Sequence, residues 1–510
     1  MSSSKSDQVR QRGGGSKANG AASSATPTSL KPPQSPSAGK RSNSNAADHN
    51  QILMENLSPD NPIHISQDSL LSASSGYTNY RGFFNLAIIL LVLSNARVAL
   101  ENLIKYGILI DFGYWFQYMI TDAHKSPVGI LLALVNVFIL TAFGIEKALY
   151  HGRISTHRRG ALYHGINLTA VLTVPVLVIL LKEPNPLGGA FCLTLYTITF
   201  LKLISYAHVN YWCRAARDKR ARRGRNVVEE DKKPVSAPSS AIRDNIRFMS
   251  RPRSFSSGFN SLIYPDNLTV SNLYYFMLSP TLCYELNFPR SPKVRKWFVA
   301  KRMIESFFLM QVIIALCQQW IVPLLRNSLE PFIAMNYSRM LERLLKLAIP
   351  NHVIWLIFFY WQFHSLMNLV AELLRFADRE FYRDWWNSET IDYFWRNWNI
   401  PVHRWCVRHL YKPLVNSGYG RMTASTAVFF VSAFFHEYLI SVPLHLFRLW
   451  AFTGMFAQVP LNMITSRWAN GRLGNVVVWL SLIVGQPLCI LMYVHDWYVT
   501  HHMPMTERVQ

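Results

Sequence analysis

Charge is what this sequence has little of. Asp, Glu, Lys and Arg make up only 16% of its 510 residues, against about 25% in an ordinary soluble domain, which argues against a water-soluble globular chain. The acidic sign is the scarcer one, 29 residues against 52 Lys and Arg, and the formal net charge is +23. Nucleic acid is the obvious partner for such an excess, yet no recognisable nucleic-acid module is present. The basic residues instead cluster in polar stretches between long apolar runs, where anionic lipid headgroups account for them. Cysteine is also sparse. Cys192, Cys213, Cys283, Cys317, Cys406 and Cys489 are scattered without a C-x-x-C pair or zinc spacing, which indicates neither a disulfide framework nor a metal site. No apolar run opens the chain, so no cleavable signal peptide is expected and the first membrane helix would have to direct insertion.

What is abundant is apolar. Hydrophobic residues reach 50% and aromatics 13%, with 15 Trp, a composition suited to interfacial belts at headgroup level. Residues 1–75 are the exception, rich in Ser, Gly, Pro, Asn and Ala; they cannot bury enough apolar surface to offset ordering entropy and read as a disordered cytosolic tail. From there to residue 500 the pattern is a single membrane domain. Runs near the ~20 residues a membrane helix needs fall at roughly 82–104, 127–147, 161–182, 187–211, 305–325, 352–374, 425–447, 451–466 and 475–497, making an all-α, polytopic protein of about nine transmembrane helices. Basic clusters at Arg153–Arg159, Arg214–Arg225 and 379–421 fall on one side of such an arrangement. The positive-inside rule then places the N-terminus in the cytosol and a short tail, 501–510, in the lumen. Residues 212–260 form a basic, partly disordered cytosolic loop and 375–424 an amphipathic one. Asn336-Tyr337-Ser338 is a glycosylation sequon close to the membrane, a weak signal.

Two constellations carry chemistry. In the first, His436 and Glu437 stand in the apolar run from Phe429 to Ile440. Ionisable groups at that depth are expensive and by default face a cavity and serve a function. A neutral imidazole in a water-poor pocket can deprotonate an alcohol attacking a thioester; the bland reading is a histidine satisfied by a neighbouring helix. The second is Phe381-Tyr382-Arg383-Asp384-Trp385-Trp386-Asn387, followed by Asn397-Trp398-Asn399-Ile400-Pro401-Val402-His403-Arg404-Trp405. Ile391, Phe394, Trp395, Trp398, Val402 and Trp405 recur at helical spacing with arginines between them, the pattern of an amphipathic helix lying on a membrane surface, broken near Asn399 by Pro401. Its amides either position a polar substrate or cap helix ends. Arg97 and Glu101 suggest an ion pair within one helix.

Together these motifs resemble the membrane-bound O-acyltransferase family, in the branch that acylates sterols and diacylglycerol. The stretches Ser94-Asn95-Ala96-Arg97, Tyr393 to Trp405, Ser432 to Tyr438 and Leu449 to Gly454 look like the diacylglycerol-acylating members, in their animal more than their plant form. The resemblance covers roughly residues 77–500. It implies that His436 is the catalytic histidine and Asn399 a second polar catalytic position flanked by Trp398. Glu437, Met455, Gln458 and Gln486 would line a reaction chamber, with Ser432 and His403 nearby. Phe381, Tyr382, Asp384, Trp385, Trp386 and Asn387 would form the acyl-CoA motif, with Tyr411 and Arg421 touching the CoA portion. It further implies an endoplasmic-reticulum enzyme, a homodimer or homotetramer, that transfers an acyl group from acyl-CoA, a co-substrate rather than a cofactor, to diacylglycerol. A sterol, a long-chain alcohol or retinol is the alternative acceptor. A membrane transporter is the alternative class, disfavoured because no internal repeat is found. Direct transfer is expected, since no activated nucleophile stands out; Ser432, one helical turn before His436, is the residue most able to upset that view.

Overall fold

A computed structural model describes residues 68–70, 72, 79–93, 103–113, 127–154, 157–230, 262–328, 331, 336–468 and 472–502. Among them the architecture is helical, relieved only by an isolated bridge between Arg290 and Phe376. The Arg97–Glu101 pair and the tails at 1–67 and 503–510 lie outside the described residues.

Seven helices among the described residues are long and apolar enough to cross a membrane: α2 (Val128–Tyr150), α3 (His157–Lys182), α4 (Pro186–Ala221), α6 (Lys296–Arg326), α7 (Tyr337–Leu373), α10 (Arg421–Leu444) and α13 (Leu473–Thr500). Shorter helices complete the chain order: α1 (Arg81–Leu93), α5 (Val270–Leu278), α8 (Ile391–Asn397), α9 (Ile400–Cys406), α11 (Trp450–Phe456) and α12 (Gln458–Trp468). Of the nine expected spans, the first, 82–104, lies partly outside the described residues, and α1 covers its described start. The segment 451–466 is divided around Ala457 into the pair α11 and α12, each too short to cross a membrane as a single helix. Pro460, in the first turn of α12, has no N–H to offer the Phe456 carbonyl, so one helical hydrogen bond is missing across the junction.

Two apolar cores organise the bundle. In one, Leu131, Val135 and Phe138 of α2, Val171 and Ile179 of α3, Leu193 and Tyr196 of α4, and Val442 of α10 pack together. In the other, Phe359 and Phe363 of α7 and Trp479 and Ile483 of α13 surround Phe381, Trp385, Trp386, Ile391 and Phe394. The stripe expected to lie on a membrane surface is therefore turned inward, because Ile391, Phe394 and Trp405 find protein partners and are buried. Several charged residues inside the bundle find partners. Lys202 donates to the carbonyls of Phe276, Met277 and Ser279 at 2.7–2.9 Å, closing the C-terminal end of α5, whose last carbonyls have no partner within the helix. Glu146 pairs with Arg214 and with His164. Asn336, the sequon residue, accepts a hydrogen bond from the Arg339 N–H and so caps α7.

Three helices loosen into π turns, at Cys317–Ile321 in α6, Tyr360–Leu366 in α7 and Val407–Tyr411 after α9. Such bulges are frequent at functional sites, and the third lies on the cavity described next.

Candidate active site

A cavity of about 610 Å³ opens between α8, α9, α10 and α11. Its walls follow from helical periodicity. Along α10, Ser425, Val428, Phe429, Ser432 and His436 line it, the 3–4 residue spacing of a single helix face. Asn399, Val402, His403, Cys406 and Val407 form the opposing stripe. The π turn then brings Tyr411 to the same surface, α8 adds Asp392, Trp395 and Arg396, and α11 adds Met455.

The wall carrying α9 is anchored from behind. Arg408 faces Glu285 at 3.4 Å, and both are buried. His409 meets the Ser205 hydroxyl at 2.8 Å and stacks on Trp212 with ring centroids 5.7 Å apart. Burial, with the neighbouring His208 and Arg408, pushes the His409 imidazole well below its ordinary pKa, so it serves as a neutral packing group.

His436 is exposed, and the surface it presents faces the cavity. Its Nδ1 stands 2.8 Å from the Ser432 carbonyl. A carbonyl only accepts, so Nδ1 carries the proton and donates, leaving the lone pair of the neutral ring on Nε2. Asn399 is set by a different constraint: its Oδ1 accepts from the Val402 N–H at 3.2 Å and caps α9, which leaves the amide N–H groups as donors. The capping reading and the substrate reading of this residue are thus compatible, because they use different atoms. His403 lies on the same wall. Burial, with Arg396, Arg383 and Arg404 nearby, pushes its imidazole down to about 4. Burial also pushes the Cys406 thiol up to about 12.

Of the residues singled out from the sequence, His436, Asn399, Trp398, Ser432, His403, Tyr411 and Met455 are brought together on this cavity. Glu437 is not: it is buried, accepts from the Leu449 and Phe452 N–H groups at 2.9 and 3.0 Å and from the Tyr493 hydroxyl at 2.8 Å, and also holds Ser441. It fixes the start of α11, and through α11 the position of Met455. Gln458, Gln486 and Arg421 are absent from the lining. So are Phe381, Tyr382, Asp384, Trp385, Trp386 and Asn387. The aromatic members of that motif are buried in the core beneath α8. Asp384 accepts from the Tyr393 hydroxyl at 2.8 Å. The Asn387 amide donates to the Asn79 carbonyl at 2.9 Å. Gly82 lies so close that a Cβ there would stand 1.6 Å from the Trp386 carbonyl oxygen, so only glycine lets α1 approach the motif. Ser425, Val428 and Phe429 also line the cavity; helical periodicity read backward from His436 is the signal that points to them.

These features define a class: a multi-pass helical membrane protein built around a chamber between its helices, with a histidine aimed into it. A family model described as MBOAT, membrane-bound O-acyltransferase family, matches residues 193–495, and the chain belongs to that family. It is 53% identical over 440 residues to Diacylglycerol O-acyltransferase 1 of Homo sapiens, covering 86% of this chain and 85% of that protein. It is 52% identical over 437 residues to Diacylglycerol O-acyltransferase 1 of Bos taurus, covering 86% and 85%. The similarity to Diacylglycerol O-acyltransferase 1C of Glycine max is 38% over 445 residues, covering 86% and 80%, in keeping with a nearer likeness to animal than to plant forms.

Proposed function

We propose that the chain is an acyl-CoA:diacylglycerol O-acyltransferase that makes triacylglycerol in the endoplasmic reticulum membrane. The observation that carries the reading is one cavity, lined by His436 and Asn399, in a chain more than half identical over its matched residues to mammalian proteins of that name. The basic stretches support a cytosolic N-terminus and lumenal C-terminus; assembly as a homodimer or homotetramer rests on the family resemblance.

In this reaction His436 Nε2 takes the proton from the free hydroxyl of diacylglycerol as that oxygen attacks the thioester carbonyl. Collapse of the tetrahedral species expels the CoA sulfur, which recovers the proton from the imidazolium and leaves as the thiol. The Asn399 amide donates to the oxygen that gains charge, an interaction of ~3–4 kcal/mol when formed in the transition state. His403 lies on the same wall; the assignment falls to His436 because it matches the family's catalytic histidine and its Nδ1–H on the Ser432 carbonyl leaves the Nε2 lone pair for the alcohol. No covalent acyl-enzyme is needed: the Cys406 thiol, pushed up to about 12, stays protonated and unreactive.

Purified protein reconstituted in vesicles and given labelled acyl-CoA with diacylglycerol and cholesterol in competition should place the label in triacylglycerol. Label in the steryl ester with diacylglycerol untouched would assign a sterol acyltransferase, and no covalent transfer at all would favour a transporter.

A further inference from the structure

Resting on the acyl-CoA reading just given, we propose that Arg396 binds the phosphates of acyl-CoA at the cavity mouth, and that Asp392 holds this guanidinium until the substrate displaces it. Both side chains line the cavity. They sit one helical turn apart on α8 and pair at 2.7 Å, with 61% of Arg396 and 45% of Asp392 exposed.

The arginines around this wall differ in what holds them. Arg404 is clamped by Asp378 at 2.6 Å and Glu380 at 2.5 Å, both carboxylates largely withdrawn from solvent. Both oxygens of Glu380 also accept from Arg383, at 2.7 and 3.1 Å. Arg408 faces the buried Glu285. Taking a guanidinium away from any of these would strand a carboxylate already removed from water, and that is costly. The Arg396–Asp392 pair is of the other kind, an exposed contact within one helix that contributes little to stability. Breaking it strands nothing, because Asp392 returns to water.

A phosphate offers more negative charge than a single carboxylate and accepts from both arms of a guanidinium. Arg396 can therefore exchange partners with a net gain when a phosphorylated ligand arrives. The exchange needs side-chain rotation only. The Asp392 backbone N–H donates to the Asn462 side chain at 3.1 Å, which ties the start of α8 to α12 and keeps the helix in place. Once released, the Asp392 carboxylate remains on the rim and repels the phosphate, so the two members of the pair act on affinity with opposite sign.

The test compares acyl-CoA with an acyl thioester lacking phosphates, S-acyl-N-acetylcysteamine, using full-length protein in vesicles of neutral lipid and again with anionic lipid added. Arg396→Ala should raise the KM for acyl-CoA roughly tenfold, the loss of one charge-assisted contact, while the KM for the phosphate-free thioester changes by less than about twofold. Asp392→Asn should lower the KM for acyl-CoA. Equal effects on the two thioesters would overturn the proposal, as would an Asp392→Asn variant that weakens acyl-CoA as Arg396→Ala does. An Arg396 effect seen only when anionic lipid is present would also overturn it, assigning the site to a lipid headgroup. A wild-type protein that transfers no acyl group from acyl-CoA would instead refute the reading of function beneath it.

Discussion

Asn399 does two jobs with two ends of one amide. Its oxygen accepts the Val402 N–H and starts α9, and that bond fixes the amide so that its N–H groups are the ones left for substrate. Asn399→Ser separates these jobs, since serine is an equally good N-cap but too short to reproduce the amide donor. Turnover should fall roughly 10²–10³-fold, the cost of losing one oxyanion donor, with the thermal midpoint close to wild type; a variant with near-normal turnover would reduce Asn399 to a cap. The sequence made His436 and Ser432 legible, because a polar residue in apolar surroundings stands out without any knowledge of its neighbours; Asn399, among other polar residues, could be read as a cap or a substrate contact, and only the family resemblance singled it out. Glu437 stood out as His436 did but has a different task. Adjacent residues on a helix point in different directions, so the carboxylate beside His436 turns away to hold the first N–H groups of α11. Nothing in the local sequence names Leu449 or Tyr493 as its partners.

At the scale of elements, the 381–387 segment is the support on which α8 rests. Trp385 is buried against Phe359, Trp355 and Trp479, with ring centroids 4.8, 5.3 and 5.5 Å away, and Trp386 stacks on Phe83 of α1 at 4.4 Å. Trp385→Ala leaves a void between α7 and α13, a truncation that costs ~3–5 kcal/mol. A clear drop in thermal midpoint is expected in detergent, together with a lower kcat as α8 loses its seat, and Trp385→Phe should restore most of both. A stable Trp385→Ala protein with a raised KM for acyl-CoA alone would instead mark this tryptophan as a substrate contact. The aromatic richness of 381–405 was visible in the sequence, yet interfacial and core aromatics have the same composition. What separates them is the company they keep, and here that company comes from helices distant in the chain.

At the scale of the molecule, hydropathy was the most legible signal, because the length of an apolar run is a local property set by bilayer thickness. It located all seven spans found among the described residues, but did not show that the apolar stretch 451–466 divides into two short helices. Hydropathy could not reveal that α8 to α11 leave a chamber between them, since that depends on how helices of similar greasiness stack. The central claim is that His436 removes the proton from the acceptor alcohol inside this chamber. It is tested most directly with His436→Ala in reconstituted vesicles, measuring labelled acyl transfer to diacylglycerol beside acyl-CoA binding. Transfer should fall by roughly 10²–10⁴-fold, with acyl-CoA affinity within about twofold of wild type. Transfer at a substantial fraction of the wild-type rate would contradict it.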